Sequence, residues 1–503
     1  MHGHSGVSDI NVPKALSCSL QNMLKDYGCE QAHLTPHQAA AWLATIYAHS
    51  KAARQRKIPN RFRGPQTKRA TLPWQARMGR SALGHTIKKA SVGQNAPICG
   101  DDGNPIVDGE ALEAALWNTR RDVAESFAPP HPGRDQVLRH YFRERRSKLP
   151  RQPNPELNKL VGIIMAAEGS SPGRDNIPYE VYHHGVRFVA HLLAQADWAA
   201  YEHPELLDTV LGENVELLVW IQKKLGATSV KAQRPLMMPT TLRRHYATVT
   251  CHEINPDTQP QLSKHQAAVA GGSCGRNIDL VVKHLGQNNA MPTRVVRTPQ
   301  WDAVFGPAAG PVLQLCCEGP GHDLGPAALL EDQEQAYERM DHGYLDAVYH
   351  GWGFPARIKR ALTVHDANRT VQAIVNGKLG PQHAVRRGVG MGNPTSCSKW
   401  NLGYDPIVCN NAAALNEIDS PTFVDDNAGL VCGAHAALAF QALTFVGAGV
   451  AGLSTVTHRC QVIKARGDRR QVMDLLCYFP VNVHDNGDGS SAYAAFPQPS
   501  GFG

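Results

Sequence analysis

Hydrophobic positions recur with a helical period over much of the chain, and short apolar runs interrupt that pattern at a few places. Within residues 1–50, a threonine start followed by an Ala-rich amphipathic stretch predicts helix. Residues 156–196 predict a helix, a Ser-Pro-Gly loop and a second helix. Short apolar runs predict strands at 246–251, 311–317 and 370–376.

Turn residues and prolines divide this pattern further along the chain. Residues 96–127 predict a short hairpin with its turn at Asp-Gly-Asn, followed by a helix. Prolines then cluster in the stretches APPHPGRD and KLPRQPNPEL, which predict a domain boundary near residue 150.

Two adjacent aspartates lie between apolar residues in the stretch SPTFVDDNAGLVCG, residues 420–433. Asp425 and Asp426 follow a Phe-Val pair, and a Leu-Val-Cys run comes after them, which predicts strand, acidic tip and strand. An ordinary surface turn is the alternative, because adjacent carboxylates repel unless water or a cation lies between them. A metal site here requires a further carboxylate from elsewhere in the chain.

The composition is that of a folded globular protein, with 42% hydrophobic and 19% charged residues among 503. The chain contains no run of eighteen apolar residues and no basic-then-apolar leader, so we expect neither a membrane protein nor a secreted one. Twelve scattered cysteines without a C-x-x-C pair fit a reducing compartment. We therefore expect an intracellular protein, in the nucleus or the cytoplasm.

The net charge of +7 is unevenly distributed. Residues 51–89 contain twelve Lys or Arg and no Asp or Glu, and a second basic cluster spans 139–151. Aromatic residues interleave with these cations, which suits a polyanion because cations bind phosphates and aromatic faces stack on unpaired bases. A solvated basic face is the alternative interpretation.

Asp332 is the best candidate for the additional carboxylate. It follows an apolar, strand-like run at Ala327 to Leu330, and an amphipathic helix is predicted soon after it. A carboxylate at a strand end, facing a hairpin tip, is suited to binding cations with oxygen ligands. The alternative role of an isolated Asp at this position is a helix N-cap.

Six motifs in one order resemble blocks of the reverse transcriptases of LINE-type (non-LTR) retrotransposons, most closely the fungal Tad-type branch. In chain order they are SSPGRDNIPYEVY from Ser170, VWIQKKLGATSVKAQRPLMM from Val219, LSKHQAAVAGGSCGRNI from Leu262, EDQEQAYERMDHGYLDAVYHGWGFP from Glu331, VQAIVNGKLGPQHAVRRGVGMGNPTSCSKWNLGYDPI from Val371, and FVDD from Phe423. The resemblance covers about residues 155–465.

The resemblance implies an α+β right-hand polymerase with fingers, a palm and a partial helical thumb. It divides the chain into a basic helical N-terminal extension at 1–95, a connector at 96–150, reverse transcriptase fingers and palm at 151–455, and a partial thumb with a loose tail at 456–503.

The resemblance also implies a catalytic centre with two Mg²⁺ ions, or Mn²⁺ in their place. Asp332 and Asp425 would bind both ions, Asp426 would be an accessory catalytic carboxylate, and the backbone carbonyl of Gln333, a residue also assigned to the nucleotide site, would add a ligand. Two ions roughly 3.5–4 Å apart stabilise the attacking and leaving oxygens of an in-line displacement.

Five further residues are implied to bind the incoming nucleotide. Arg234 and Arg244 would grip the triphosphate, Tyr337 would lie under the sugar and exclude a ribose 2′-OH, and Gly392 and Pro394 belong to a loop beneath template and nucleotide. For Tyr337, a core aromatic on a helix is the alternative.

Several positions depart from the pattern of the family. Met391 replaces a Gln near the nascent base pair, Lys399 and Trp400 replace an apolar Leu-Phe pair, and Glu331 replaces an apolar residue before the catalytic Asp. A buried carboxylate at Glu331 has to be paired or neutralised.

The implied function is RNA-directed DNA polymerase activity, transferring nucleotides from dNTPs to a primer 3′-OH. The expected partners are an RNA template, a DNA primer and dNTPs, with additional nucleic-acid binding through residues 51–89. The alternative is a catalytically inactive, truncated retroelement copy that only binds nucleic acid.

Overall fold

The computed structural model describes residues 98–494, except 168–170, 176, 178, 224–226, 270–271, 288–290, 319–324, 377, 417, 424–425, 456–460, 465–481 and 486–490. Its α-helices are α1 (Gly109–Ala124), α2 (Arg134–Tyr141), α3 (Leu157–Ala166), α4 (Tyr179–His184), α5 (Val186–Glu202), α6 (Leu207–Leu211), α7 (Thr241–Thr258), α8 (Cys274–Leu285), α9 (Pro299–Phe305), α10 (Ala309–Glu318), α11 (Ala336–Arg339), α12 (His342–Gly351), α13 (Ala356–Thr363), α14 (Ser396–Ala414) and α15 (Ala434–Val450). Its strands are β1 (Val215–Gln222), β2 (Gln233–Met238), β3 (Pro326–Asp332), β4 (Thr370–Val375), β5 (Lys378–Ala384), β6 (Thr422–Phe423), β7 (Asp426–Cys432), β8 (Gln461–Lys464), β9 (Asn482–Asp485) and β10 (Ser491–Ala494).

The strands form two sheets, so the described chain is a mixed α+β protein. The first sheet has the order β2-β1-β4-β5, and the second has the order β10-β9-β8-β3-β7-β6. Strand β3 pairs antiparallel with β7 on one side and with β8 on the other. It is therefore an internal strand whose position is fixed from both sides.

The sequence predicted some of these elements correctly. The hairpin after residue 96 is present, with Gly103 at φ 78° in its turn, and α1 follows it. The helix–loop–helix at 156–196 and the strand at 370–376 are confirmed by α3, α5 and β4.

Two predicted strands are wrong. Residues 246–251 lie inside α7, and residues 311–317 lie inside α10. A short apolar run fits a buried strand and a buried helix equally well, because periodicity does not separate the two over six or seven residues. The helix predicted within 1–50 lies outside the described residues.

The largest core surrounds α14 and α15, and α15 packs against β3 and β7 of the second sheet. Trp301, Trp352 and Trp400 are fully buried in it. Gly429 on β7 allows this packing, since a Cβ there would come within 2.6 Å of the Phe440 ring on α15. The acidic ends of β3 and β7 are thus backed by a tightly packed apolar layer.

Helices from the predicted connector pack into the same cores as the later elements. Tyr141 and Phe142 at the end of α2 belong to the cluster around α14 and α15. Leu116 and Trp117 on α1 pack against the first sheet. The boundary predicted near residue 150 stays a prediction.

No helix within the described parts of 98–494 is long and apolar enough to cross a membrane.

A buried ionic network joins α5, α7 and α13. The fully buried guanidinium of Arg357 contacts Asp197 at 3.2 Å and is also paired with Glu253. Burial raises the pKa of Asp197 to about 6, although the charge of Arg357 acts in the opposite direction. The native state therefore holds a proton on Asp197 more tightly than the unfolded chain does.

We expect Asp197→Asn to remove part of the pH dependence of stability between about pH 4 and 6. Because the folded pKa lies above the unfolded one, wild type loses this contribution as the pH rises through about 6. The free energies of unfolding are measured by urea titration. The difference between them, variant minus wild type, should increase as the pH rises from about 4 to about 6. A constant difference between the two would contradict the assignment.

Candidate metal and nucleotide site

Two acidic side chains meet where β3 and β7 pair. In the antiparallel register Asp332 lies directly opposite Asp426, and Glu331 lies opposite Asn427. Directly opposed residues project from the same face, with Cβ atoms about 4.5–5.5 Å apart. The described structure therefore brings together two of the three predicted catalytic carboxylates, and it places Asp332 at a strand end rather than at a helix N-cap.

The predicted strands around the acidic tip are present as β6 and β7. Phe423 on β6 pairs with Asp426 on β7, which fixes the two flanks of the tip. Asp425 lies outside the described residues, so its predicted role as a metal ligand stays a prediction. The family resemblance implies the main metal role for Asp425, but among the described residues Asp426 is the carboxylate opposite Asp332.

Proximity of the two acids is visible in the electrostatics. The pKa of Asp426 is raised, mainly by partial burial and to a smaller extent by the negative charge of Asp332. Two like charges on opposed residues are stabilised when a cation lies between them. Oxygen ligands in this arrangement suit Mg²⁺, which takes one or two protein carboxylates and keeps waters and phosphates for its other positions.

The site therefore offers two suitable protein ligands for a metal ion, and it does not enclose the ion completely. Among the described residues, no group of three or more His, Cys, Asp or Glu side chains could hold a metal ion. Asp332 and Asp426 are the residues that would hold Mg²⁺ in the described structure.

Gln333 continues from Asp332 into the interior. Its side chain is 2% exposed and donates to the hydroxyl of Thr455 at 3.2 Å and, at 3.5 Å, to that of Tyr404. The amide therefore anchors the end of β3 below the acids, while the predicted metal bond of the Gln333 carbonyl stays a prediction.

Tyr337 lies in a stack of three aromatic rings. Its ring stacks on Trp400 with a centroid distance of 5.5 Å, and Trp400 stacks on Tyr404 at 5.2 Å. The tyrosine is only partly buried and packs against the main core. Trp400, one of the departures from the family pattern, thus supports Tyr337 from beneath, and both roles considered for Tyr337 are compatible with this position.

The loop before α14 connects this stack with the first sheet. The amide of Val389 donates to the carbonyl of Tyr337 at 2.6 Å, and the amide of Met237 on β2 donates to the carbonyl of Met391 at 2.7 Å. Gly392 has φ 107°, and a Cβ there would lie 2.3 Å from the carbonyl oxygen of Met237. Glycine is therefore required where the loop touches β2.

Pro394 follows in the same loop, and its carbonyl accepts from the thiol of Cys251 at 3.4 Å. Arg234 is exposed on β2 and, two residues before Leu236, projects from the same strand face. A Cβ on Gly392 would lie 3.1 Å from Leu236, so that face borders the loop. Arg234 and Gly392 thus lie on the same side of β2, while Pro394 contacts α7 through Cys251.

Arg244 occupies a different environment from Arg234. It is 7% exposed, its guanidinium donates to the carbonyl of Ser171 at 2.6 Å, and it lies over the ring of Tyr179 at 5.0 Å. In the described structure it joins α7 to the Ser-Pro-Gly loop, and its predicted triphosphate contact stays a prediction.

A buried charge cluster under the loop is the part of the site that the sequence did not predict. Lys399 is 1% exposed, and its ammonium donates to Asp366 at 2.6 Å. Burial favours the neutral acid, but Lys399, His342 and Arg369 outweigh it, and the pKa of Asp366 is lowered. The lysine that departs from the family pattern is therefore compensated by an aspartate 33 residues earlier.

The same cluster holds the backbone of the loop. Arg369 and His342 both donate to the carbonyl of Gly388, at 2.9 and 2.7 Å. Gly388 has φ 82°, and a Cβ there would lie 2.5 Å from the Glu338 carbonyl. The guanidinium of Arg369 and the imidazole of His342 thus donate to the same carbonyl and fix the loop against α11.

Glu331, the other notable departure, is 5% exposed and lies next to Thr444 of α15. Burial raises its pKa well above the ordinary value, while a hydrogen bond with Thr444 acts in the opposite direction. The expectation that a buried carboxylate must be neutralised fits this environment, because the raised pKa favours its protonated form.

No protein-family profile matches the chain, and no curated protein is significantly similar to it.

We expect Lys399→Leu to destabilise the fold by about 3–5 kcal/mol, because it leaves Asp366 buried without its main cation. The double variant Lys399→Leu/Asp366→Asn should recover much of this loss in urea titrations. Lys159→Leu, at an exposed lysine on α3, is the control and should stay within about 0.5 kcal/mol of wild type. Additive losses in the double variant would contradict the pairing.

We expect Gly392→Ala to lower stability more than Gly433→Ala does. Both glycines have φ near the same positive value, 107° and 103°, but a Cβ on Gly433 meets nothing within 4 Å. The difference between the two free energies of unfolding isolates the contact with the carbonyl of Met237. Equal effects would show that backbone conformation alone requires glycine at 392.

Proposed function

We propose that this chain is a nucleotidyltransferase of the RNA-directed DNA polymerase class, extending a DNA primer on an RNA template with dNTPs. The observation that carries the proposal is the antiparallel register that sets Asp332 opposite Asp426 at the ends of β3 and β7. The surrounding Tyr337, the loop with Gly392, and Arg234 on β2 are consistent with a nucleotide bound beside these acids.

Asp332 and Asp426 would hold Mg²⁺ or Mn²⁺, with Asp425 as a further carboxylate from the same tip. When bound, the metal supplies positive charge to the attacking 3′-oxygen and to the leaving pyrophosphate oxygen. Tyr337, held by Trp400, would form the floor under the sugar. Arg234 would add a cation for the phosphates, which matters because this chemistry depends on positioned charge more than on proton transfer.

The test is incorporation of dTTP on poly(rA)/oligo(dT) with Mg²⁺ or Mn²⁺. Asp332→Asn, Asp425→Asn and Asp426→Asn should each lower the rate at least about 100-fold, as expected when charge stabilisation of the transition state is removed. Asp346→Asn, at an exposed acid on α12, is the matched control and should retain the wild-type rate.

Absence of incorporation by the wild-type protein under both metals would overturn the polymerase proposal. If that protein still retains RNA in a salt-sensitive manner, the nucleic-acid-binding remnant is the better account. Incorporation that survives Asp332→Asn would remove the β3–β7 acids from the catalytic centre.

A further inference from the structure

Phe127 is an aromatic side chain displayed to solvent beside the loop of the candidate site. It follows the end of α1, and 70% of it is exposed. Exposed single hydrophobic residues are common in proteins, so exposure alone carries no functional meaning. The surroundings of this ring, however, distinguish it from an incidental surface residue.

The residues on both sides of Phe127 are anchored. The hydroxyl of Ser126 donates to the carbonyl of Val123 at 3.1 Å and accepts from Arg387 at 3.5 Å. On the other side, Ala128 packs on Gly452, where a Cβ would lie only 2.9 Å from that of Ala128. The ring is therefore held outward by a fixed backbone, a preorganisation that lowers the entropy cost of binding.

A cation lies on one face of the ring. The guanidinium of Arg386 is 5.3 Å from the centroid of Phe127, and the amide of Arg386 donates to the carbonyl of Ala124 at 2.7 Å. Arg386 is exposed and forms no ion pair with a carboxylate among the described residues. Its charge is available to an anion next to the aromatic face.

The neighbouring charges do not cancel this cation. Arg121 and Glu125 at the end of α1 pair with each other at 3.6 Å. Arg339 is paired with Glu334 at 2.5 Å. Asp122, one residue after Arg121, is exposed on α1.

The Phe127–Arg386 pair also lies close to the candidate site. Val389, three residues after Arg386, donates its amide to the carbonyl of Tyr337. Three residues span at most about 11 Å, so the backbone of Arg386 lies within about 14 Å of the carbonyl oxygen of Tyr337. Arg387 between them is fixed by bonds from its guanidinium to the carbonyls of Arg339 and Gly452.

We propose that Phe127 and Arg386 form a stacking platform for an unpaired base of a single-stranded RNA, with Arg386 contacting the adjacent phosphate. The proposal rests on the proposed function, because an RNA template near Tyr337 would be the occupant. Base stacking on an aromatic face together with phosphate contact by a cation is the general chemistry of single-strand binding.

The platform is tested by the affinity of the full chain for a fluorescein-labelled oligouridylate, measured by anisotropy over a range of salt concentrations without Mg²⁺ or dNTP. We expect Phe127→Ala to weaken binding about tenfold at each salt concentration, as loss of one stacked base does. Phe127→Trp should restore the affinity. Arg386→Ala should weaken binding and reduce the slope of log K against log salt by about 0.7.

Three controls make the result specific. Met165→Ala, at an exposed methionine on α3, should bind like wild type. A fully paired RNA duplex should show no difference between wild type and Phe127→Ala, because it offers no unstacked base. An oligothymidylate of equal length should also lose affinity in Phe127→Ala, because an unpaired DNA base stacks on an aromatic face in the same way.

Wild-type affinity of Phe127→Ala for the oligouridylate, or no binding by the wild-type protein, would overturn the platform. Because binding is measured without catalysis, the platform and the polymerase proposal fail separately. If the protein binds RNA through Phe127 but incorporates no dTTP, the platform is supported and the polymerase proposal is overturned.

Discussion

The pairing of β3 with both β7 and β8 is the constraint on which the candidate site depends. An internal strand cannot slip in register without turning its side chains to the opposite face, and this fixes Asp332 opposite Asp426. The helix α15 covers the other side of β7, where Gly429 admits the ring of Phe440. Apolar packing and backbone pairing along β3 and β7 therefore hold the two like charges together against their repulsion.

The second determinant is the loop between β5 and α14, which connects the two sheets. Its backbone bonds reach Tyr337 on α11 and Met237 on β2, and its Gly388 carbonyl is held by Arg369 and His342. Hydrogen bonds to a buried carbonyl are stronger than hydrogen bonds in water, so these two donors favour one arrangement of the loop. The elements that would contact a nucleotide are consequently coupled through the interior rather than across the surface.

Sequence patterns predicted those parts that depend on local order. The apolar run before Asp332 and the apolar flanks of Asp425 and Asp426 were recognisable as strands, and β3, β6 and β7 follow them. Partners distant in the chain could not be predicted, since nothing near Lys399 indicates that Asp366 neutralises it. The choice of Asp426 as the acid opposite Asp332 also depends on register, which a single sequence does not encode locally.

The Lys399–Asp366 pair has a consequence for the history of the chain. Asp366 is the carboxylate that pairs with Lys399 in the interior, and Asp366 also lies 3.6 Å from Arg369, so an apolar residue at either position alone leaves the balance of buried charge disturbed. The effect of a substitution at one of the two positions therefore depends on the residue at the other. Related chains should therefore differ at these two positions together, with an apolar residue in place of Lys399 accompanied by loss of the acid at the position of Asp366.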